Sequence, residues 1–183
     1  MRIIAGQFKG RRLQTPTWDG LRPTSDRLRE TLFNVLAPRI DAARVIDGYA
    51  GTGAIGIEAL SRGAAQVTFV ERDPRAVALI ERNLAHVGLS ERYAIIRAGF
   101  ADAAARLGPA GLVILDPPYG VGAARAALEA GAQTVAAGGL LVLEHARRDP
   151  VPETTAGLIR RRVVKAGDSA LSFYEREPSR EAI

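Results

Sequence analysis

From residue 44 onward, apolar runs of strand length alternate with segments of helical length, and this alternation constrains the fold more than any other feature. The strand-like runs are Val45-Ile46, Val67–Val70, Ala94–Ile96, Leu112–Leu115 and Leu140–Leu143. Helices are predicted between them, over residues 54–62, 74–87, 101–107 and 123–136. Strands joined by helices build right-handed βαβ units, so the sequence predicts an α/β fold with a mostly parallel sheet and helices on both faces.

Both ends of the chain depart from this alternation. Residues 158–165 and 169–176 are strand-like runs joined by Ala166-Gly167-Asp168, which predicts a terminal antiparallel hairpin. Residues 2–15 are predicted to form a short hairpin around a glycine-bounded basic turn. We therefore expect an N-terminal extension over 1–40, a Rossmann-like domain over 41–177 and a loose tail over 178–183.

A helix is predicted within the N-terminal extension. Thr24 or Ser25 can cap it, and Pro38 is expected to end it. Its apolar face is predicted to carry Leu28, Leu32, Val35 and Leu36, and its other side Arg27, Arg29 and Glu30.

A glycine-rich loop is predicted where the first strand meets the first helix of the alternating region. Gly51, Gly53 and Gly56 form G-x-G-x-x-G in the strand–turn–helix context that this motif requires. Glu71 ends the second strand, 20 residues after Gly51, where a carboxylate can accept both hydroxyls of a ribose. The loop therefore predicts a nucleotide-like cofactor.

Two classes of cofactor share this arrangement. A dinucleotide needs its pyrophosphate at the helix N-terminus. S-adenosylmethionine has no phosphate and needs an acceptor for its cationic amino-acid end, which Asp47, just before the loop, could help to supply. The position of Asp47 favours S-adenosylmethionine.

The segment Asp116-Pro117-Pro118-Tyr119 directly follows the apolar run 112–115. Two prolines remove two backbone donors and leave an acid, bare carbonyls and an aromatic ring at the carboxyl end of a strand. Ligands of open α/β sheets bind at that end. The segment is suited to hold an amino group that is to be attacked, with a proline-rich turn and a packing tyrosine as the alternative.

Basic side chains are concentrated at the start of the chain. Residues 1–40 contain eight basic and three acidic side chains, a surplus equal to the net charge of +5 of the whole chain. A basic segment on an otherwise neutral body indicates a polyanionic partner such as nucleic acid. The alternative is an ordinary solvated surface rich in arginine.

The composition also excludes several kinds of site. The chain has no cysteine and two histidines, which excludes disulfides, thiolate chemistry and a histidine-rich metal site. Because no long apolar span or signal-peptide pattern is present, we expect a soluble cytoplasmic protein that does not bind membranes.

With these motifs, the chain resembles the bacterial 16S rRNA guanine-N2 methyltransferases of the RsmD type, from residue 1 to about 176. The segments that carry the resemblance are Met1–Gly6, Gly10-Arg11, Leu21–Arg27, Arg29–Asn34, Glu58–Ala64, Asp116–Tyr119 and Ala170–Tyr174. The resemblance implies a class I methyltransferase fold, S-adenosylmethionine as donor and a guanine amine of 16S rRNA as acceptor. It also implies the 30S particle, or an assembly intermediate of it, as the partner.

On this basis, functional residues are predicted in three groups. Asp116 and the Pro117 carbonyl would accept the two N–H bonds of the amine, and Tyr119 would stack on the flipped base. The residues expected at the cofactor are Asp47, Tyr49, Gly51, Gly53, Gly56, Glu71, Arg72, Gly99 and Phe100. Those expected at RNA phosphates are Lys9, Arg11, Arg12, Arg22, Thr24 and Arg27, and no metal is expected.

The segment after the third strand departs from the family pattern. Many members carry Gly-Asp-Ala there, whose acid can hold the adenine amine, whereas this chain has Ala98-Gly99-Phe100-Ala101-Asp102. Either Asp102 reaches the adenine, or backbone groups at Gly99 and Phe100 hold it while the Phe100 ring packs on it. We favour the backbone.

Other functions remain open from the residues alone. Asp-Pro-Pro-Tyr also serves DNA adenine- and cytosine-amine methyltransferases, although 183 residues leave no room for a separate target-recognition domain. A protein glutamine methyltransferase usually has Asn at position 116. An NAD-dependent oxidoreductase and a non-catalytic RNA-binding module are the further alternatives. For the rRNA methyltransferase we expect a monomer.

Overall fold

The computed structural model describes residues 1–20, 24–120 and 122–178, and the chain divides into two compact units, Met1–Gly99 and Phe100–Ile183. The predicted boundaries at residues 40 and 177 stay predictions. The tail expected over 178–183 lies outside the described residues except for Pro178. None of the helices in the described part of the chain has the length and apolar character needed to cross a membrane.

The first unit contributes three parallel strands and three helices. The strands are β1 (Arg44–Asp47), β2 (Gln66–Glu71) and β3 (Tyr93–Arg97), in the order β3-β2-β1. The helices are α1 (Asp26–Ile40), α2 (Ala54–Ser61) and α3 (Pro74–His86). Val67 and Phe69 of the middle strand, β2, are fully buried. The predicted alternation is confirmed in this unit to within one or two residues at each end.

Helix α1 is capped as predicted but ends later. The Leu28 amide donates to the Ser25 hydroxyl over 3.2 Å, which makes Ser25 the N-cap. The expectation that Pro38 ends the helix is wrong, because α1 continues to Ile40. A proline in the last turn removes only one backbone hydrogen bond, and burial of Ile40 favours the two further helical residues.

The predicted hairpin over residues 2–15 is present but short, with one antiparallel bridge between Arg2 and Arg12 and three backbone hydrogen bonds between its two arms. The backbone of this segment also bonds to α2. The Ile4 and Ala5 amides donate to the two carboxylate oxygens of Glu58, over 2.8 and 3.0 Å. A side chain of α2 therefore supplies acceptors that a longer hairpin would have supplied from its own strands.

Arg29 was expected on the exposed side of α1, and this is wrong, since its side chain is fully buried. One guanidinium nitrogen, Nη2, donates to the Arg2 carbonyl over 2.6 Å and to Asp26 over 2.8 Å. The other, Nη1, lies 3.6 Å from a carboxylate oxygen of the equally buried Glu58. A buried charge persists because an opposite charge and hydrogen bonds offset its desolvation.

The second unit contains five strands and two helices. The strands are β4 (Ala110–Leu115), β5 (Val135–Ala146), β6 (Thr154–Thr155), β7 (Leu158–Ala166) and β8 (Ser169–Arg176), in the order β4-β5-β8-β7-β6. The helices are α4 (Phe100–Ala104) and α5 (Ala123–Ala132). Strand β5 is parallel to β4 and antiparallel to β8, and β8 is antiparallel to β7. The predicted terminal hairpin is confirmed, whereas the two-residue strand β6 was not predicted.

The fifth predicted strand begins earlier than expected. The sequence predicted a helix to residue 136 and a break at Gly138-Gly139, but β5 starts at Val135 and runs through both glycines. The Thr134 amide and hydroxyl both bond to the Gly131 carbonyl and end α5, and the Ala110 amide then donates to Thr134. Pairing with β4 thus prevails over the helical preference of an alanine-rich segment.

Candidate active site

The glycine-rich loop of the first unit requires glycine for two different reasons. Gly51 and Gly53 have φ values of 53° and 77°, in the left-handed region that side chains disfavour. At Gly56 the constraint is space, since a Cβ atom would lie 2.2 Å from the Phe69 ring of β2. The loop therefore brings α2 close to the sheet, and residues 51–53 are buried.

Glu71 holds this loop at the carboxyl end of β2. One of its carboxylate oxygens accepts a hydrogen bond from the Gly51 amide over 2.9 Å, and the other accepts one from the Asp73 amide over 2.8 Å. Each carboxylate oxygen can accept a second hydrogen bond. The predicted ribose acceptor thus also fixes the loop, and it keeps free lone pairs for two hydroxyl groups.

Asp47 lies at the end of β1, and its side chain is hydrogen-bonded to the first turn of α2. Its side chain is buried, and its Oδ2 accepts a hydrogen bond from the Gly56 amide over 3.0 Å. Amides of this turn are the donors that bind the pyrophosphate of a dinucleotide. Because a protein carboxylate has already taken one of them, a phosphate here would meet a negative charge.

Two more predicted cofactor residues, Tyr49 and Arg72, lie in the same unit. Burial raises the pKa of the Tyr49 hydroxyl, and the positive charge of Arg72 partly opposes that rise. The tyrosine is therefore a neutral, half-buried group at physiological pH, with the exposed arginine close enough to act on it. Gly99, the last residue of the first unit, is half-buried.

Phe100 begins α4 in the second unit, and its ring belongs to the core. Only 3% of the residue is exposed, and a Cβ atom built on Gly131 would lie 3.6 Å from its ring. The ring therefore offers no face to an adenine. The backbone of this segment and the exposed Asp102 remain as candidates for that contact.

The proline-rich segment of the second unit follows β4 as predicted. Strand β4 ends in the fully buried Leu115, Asp116 is half-buried and Pro117 is buried. Tyr119, by contrast, is 52% exposed. The short segment thus passes from the core to the surface, and it carries an acid and an aromatic ring at its outer part.

The exposed ring of Tyr119 is held by its hydroxyl group. The hydroxyl donates to the Glu144 carboxyl over 3.2 Å and lies 2.6 Å from the Ser169 hydroxyl. Because Glu144 is in β5 and Ser169 begins β8, two strands fix the position of the ring. An aromatic ring that is both fixed and exposed is suited to stack on a planar group.

Glu144 is the functional candidate that the sequence analysis missed. It is 8% exposed and hydrogen-bonded to Asp116. Burial, the negative charge of Asp116 and the hydrogen bond between them raise the pKa of the Glu144 carboxyl to about 8. The available signal was an acid within the apolar run from Leu140 to Ala146, where a buried charge would need a partner.

The basic side chains of the N-terminal extension differ in their exposure and in the contacts that they already form. Lys9, Arg12 and Arg27 are exposed and form no ion pair among the described residues. Arg11 is exposed too, but its guanidinium donates to the Val87 carbonyl over 2.7 Å and lies 5.2 Å from the centre of the Phe8 ring. Thr24 is half-buried, and the predicted Arg22 lies outside the described residues.

Comparison with known proteins gives consistent matches over the full chain. The family model described as Conserved hypothetical protein 95 matches residues 1–175. Ribosomal RNA small subunit methyltransferase D of Escherichia coli (strain K12) is 36% identical over 188 residues, which cover 100% of this chain and 93% of the relative. YlbH of Bacillus subtilis (strain 168) is 35% identical over 183 residues, or 96% of this chain and 99% of the relative.

Solved structures match as well. The structure of yhhF from Escherichia coli has a TM-score of 0.86 and 36% identity, over 98% of this chain and 99% of that chain. TrmN from Thermus thermophilus has a TM-score of 0.67 at 22% identity, over 81% of this chain and 48% of that chain. At 22% identity, the likeness to TrmN supports the fold alone.

Proposed function

The chain belongs to the family described as Conserved hypothetical protein 95, the family of ribosomal RNA small subunit methyltransferase D, and we propose that it methylates the exocyclic N2 amine of a guanine in 16S rRNA. The class I methyltransferase fold and the enzyme class expected from the sequence are confirmed by this membership and by the structural likeness. The observation that supports the chemistry best is Asp116 at the end of buried β4, beside an exposed Tyr119 that two strands hold in place.

The first unit is suited to S-adenosylmethionine. Glu71 would accept the ribose hydroxyls with its remaining lone pairs, and Gly51 and Gly53, which carry no side chain, would allow close backbone approach. Asp47 would favour the cationic amino-acid end, directly or through water. When bound, the cofactor supplies a methyl group on a positively charged sulfur; the carbon–sulfur electrons stay on sulfur as the carbon–nitrogen bond forms, and the nitrogen loses one proton.

The second unit would hold the acceptor amine. A guanine amine is a weak nucleophile because its lone pair is delocalised into the ring. The Asp116 carboxylate and the Pro117 carbonyl would accept its two N–H bonds, which orients the lone pair and eases the build-up of positive charge on nitrogen. Asp116 would also take the proton that nitrogen releases and pass it to water.

Tyr119 would stack on the target base. A base within a helix or loop of rRNA must leave its stack to reach the amine-binding residues, and a stacking partner offsets part of that loss. Base–aromatic stacking contributes about 1–3 kcal/mol. The two hydrogen bonds of the tyrosine hydroxyl prepare the ring for this contact before RNA binds.

The N-terminal extension would dock the RNA backbone. Lys9, Arg12 and Arg27 are exposed and form no ion pair among the described residues, so phosphates can neutralise them. We propose that the substrate is the 30S particle or an assembly intermediate and that the enzyme acts as a monomer in the cytoplasm.

The alternatives fit the site less well. A dinucleotide would place its pyrophosphate where the Asp47 carboxylate already accepts from the Gly56 amide, which disfavours an NAD-dependent oxidoreductase. A non-catalytic RNA-binding module would have no use for a pair of adjacent carboxyl groups, the half-buried Asp116 and the buried Glu144. Methylation of DNA or of a protein glutamine is tested when duplex DNA and protein are offered as methyl acceptors.

The test is transfer of a tritiated methyl group from S-adenosylmethionine to 30S particles, naked 16S rRNA, duplex DNA and protein. We expect label in the small-subunit RNA, recovered as N2-methylguanosine after digestion. Asp116→Ala should lower the rate at least about a hundredfold, because one oriented acceptor and proton acceptor is lost. Its affinity for S-adenosylmethionine, measured by calorimetry, should stay within about twofold of the wild-type value.

The matched control is Asp168→Ala, in the exposed turn between β7 and β8, which should keep full activity. Label found in DNA, in protein or in another nucleoside would overturn the proposed acceptor. An Asp116→Ala enzyme with wild-type turnover would overturn the role of that carboxylate.

A further inference from the structure

Four side chains of the second unit form one hydrogen-bonded group, which we call the Glu144 cluster: Asp116, Tyr119, Glu144 and Ser169. Tyr119 donates to Glu144 over 3.2 Å and lies 2.6 Å from Ser169, and Glu144 is hydrogen-bonded to Asp116. Glu144 therefore contacts both the acid and the aromatic ring of the segment after β4. No motif assigns this residue a role.

Strand register explains how the cluster is built. Ala146 of β5 pairs with Ser169 of β8, and Glu144 pairs with Leu171, so Glu144 and Ser169 are diagonal neighbours on one face of the sheet. His145, between Glu144 and Ala146, points to the opposite face, where its ring lies 2.9 Å from the Ser172 hydroxyl. The titratable groups that act on Glu144 within this unit are therefore Asp116 and Tyr119.

Two hydrogen-bonded carboxyl groups cannot both be ionised at little energetic cost, so this pair keeps one proton over a wide pH range. Glu144 is the more buried partner, at 8% exposure, whereas Asp116 is half-buried. Burial and the charge of Asp116 raise the pKa of Glu144 to about 8. With its pKa raised, Glu144 keeps its proton at neutral pH and can donate it in the hydrogen bond to Asp116.

We propose that Glu144 is a positioning residue of the methyl-transfer site: its carboxyl group donates a hydrogen bond to Asp116, which fixes that carboxylate, and accepts one from Tyr119, which fixes the ring. This inference rests on the proposed function of Asp116 and Tyr119. Glu144 itself touches neither substrate nor cofactor. Its role is to keep an acceptor and a stacking surface in place before the base arrives.

The cluster predicts how activity depends on pH. Below about pH 8 Glu144 can donate to Asp116, and above it the Glu144 carboxyl loses its proton. Two adjacent negative charges then repel each other, and Asp116 loses its donor. Turnover should therefore fall as the pH rises through this value, and this fall should be absent when residue 144 cannot ionise.

Two substitutions of Glu144 distinguish the effect of its hydrogen bonds from the effect of its ionisation. The amide of Glu144→Gln can still donate to Asp116 and accept from Tyr119, but it does not titrate. We expect kcat within about threefold of wild type at pH 7 and no fall of kcat up to pH 9.5. Glu144→Leu removes both hydrogen bonds, and we expect kcat to fall about tenfold to a hundredfold.

The measurement is methyl transfer to the small-subunit RNA, with kcat and KM determined from pH 6 to pH 9.5. Affinity for S-adenosylmethionine and the melting temperature of each variant show that it is folded. The matched control is Glu175→Gln, on β8 but outside the cluster, which should keep the alkaline fall. If Glu144→Gln keeps that fall, or if a folded Glu144→Leu has wild-type kcat, the proposal is wrong.

A second measurement does not depend on catalysis. The carboxyl carbon resonances of ¹³C-labelled protein should include one that titrates near pH 8, is absent in Glu144→Gln and moves to lower pH in Asp116→Asn. Absence of such a resonance would overturn the positioning role even if methylation is confirmed. Failure of the wild-type enzyme to methylate any RNA, with the resonance present, would overturn the proposed function and leave the carboxyl pair intact.

Discussion

At the scale of single residues, the Glu144 carboxyl links the candidate site to the stability of the fold. Its pKa in the folded chain is raised to about 8, from an ordinary value of 4.5. Between these values the folded state binds a proton that the unfolded state has released. The proton on Glu144 therefore contributes its full stabilisation of the fold below the pKa of the unfolded chain. This contribution is lost as the pH rises through the pKa of the folded chain.

We therefore expect Glu144→Gln to gain stability over wild type as the pH rises from 5 to 8. The difference in the free energy of unfolding should grow by up to about 1.4 kcal/mol per pH unit, which corresponds to one proton. Urea unfolding at pH 5, 6, 7 and 8 measures it. Glu175→Gln serves as the control and should show no such trend; a constant difference for Glu144→Gln would show that Glu144 ionises normally.

Individual site residues were predictable where spacing carries the information. Gly51 and Gly53 follow β1, and Glu71 ends β2, 20 residues after Gly51. In the structure, the Glu71 carboxylate accepts a hydrogen bond from the Gly51 amide. Glu144 and Arg29 were missed or misplaced for a shared reason. Each is a buried charged residue with a partner distant in the sequence: Asp116 for Glu144 and Glu58 for Arg29. The periodicity of apolar residues contains no information on such pairs.

At the scale of elements, the buried pair of Arg29 in α1 and Glu58 in α2 joins the N-terminal extension to the rest of the first unit. Glu58 also accepts from the Ile4 and Ala5 amides and from Arg62. One buried carboxylate thus serves two cations and two backbone donors. Removal of such a partner leaves a buried charge uncompensated, which is costly.

Glu58→Ala should therefore destabilise the protein by about 3–5 kcal/mol. Urea unfolding followed by the fluorescence of Trp18 measures this loss, since Trp18 is the single tryptophan and its ring lies 5.2 Å from the Arg75 guanidinium of α3. Glu58→Gln should lose less, because its amide oxygen can still accept. For the exposed pair Arg125–Glu129, Glu129→Ala should change stability by well under 1 kcal/mol, and equal losses at both sites would contradict a buried link.

The elements themselves were largely predictable, since their apolar periods and their glycine and proline breaks are local signals. The differences arose where a contact distant in the sequence prevailed. Val135 joined β5 because Ala110 of β4 offers it a partner, and the hairpin over residues 2–15 stays short while the Ile4 and Ala5 amides bond to Glu58. Local sequence contains neither partner.

At the scale of the whole molecule, the placement of charge matters more than its total. The first 40 residues hold the entire net charge of +5. The structure narrows the predicted phosphate contacts, because the Arg11 guanidinium is bonded to the Val87 carbonyl. A charge change at Arg11 would also disturb packing. Arg12 and Arg27, both exposed and without an ion pair among the described residues, are the cleaner probes of RNA docking.

The double variant Arg12→Glu, Arg27→Glu should weaken binding to 30S particles and leave the affinity for S-adenosylmethionine unchanged. Because two phosphates would no longer be neutralised, the slope of log affinity against log salt should fall by about 1.5. Filter binding between 50 and 300 mM KCl measures both quantities. The control Arg44→Glu, Arg106→Glu changes the net charge equally at exposed positions outside the first 40 residues. If both double variants lose affinity alike, total charge rather than the N-terminal extension governs RNA binding; if neither does, the extension has no part in docking.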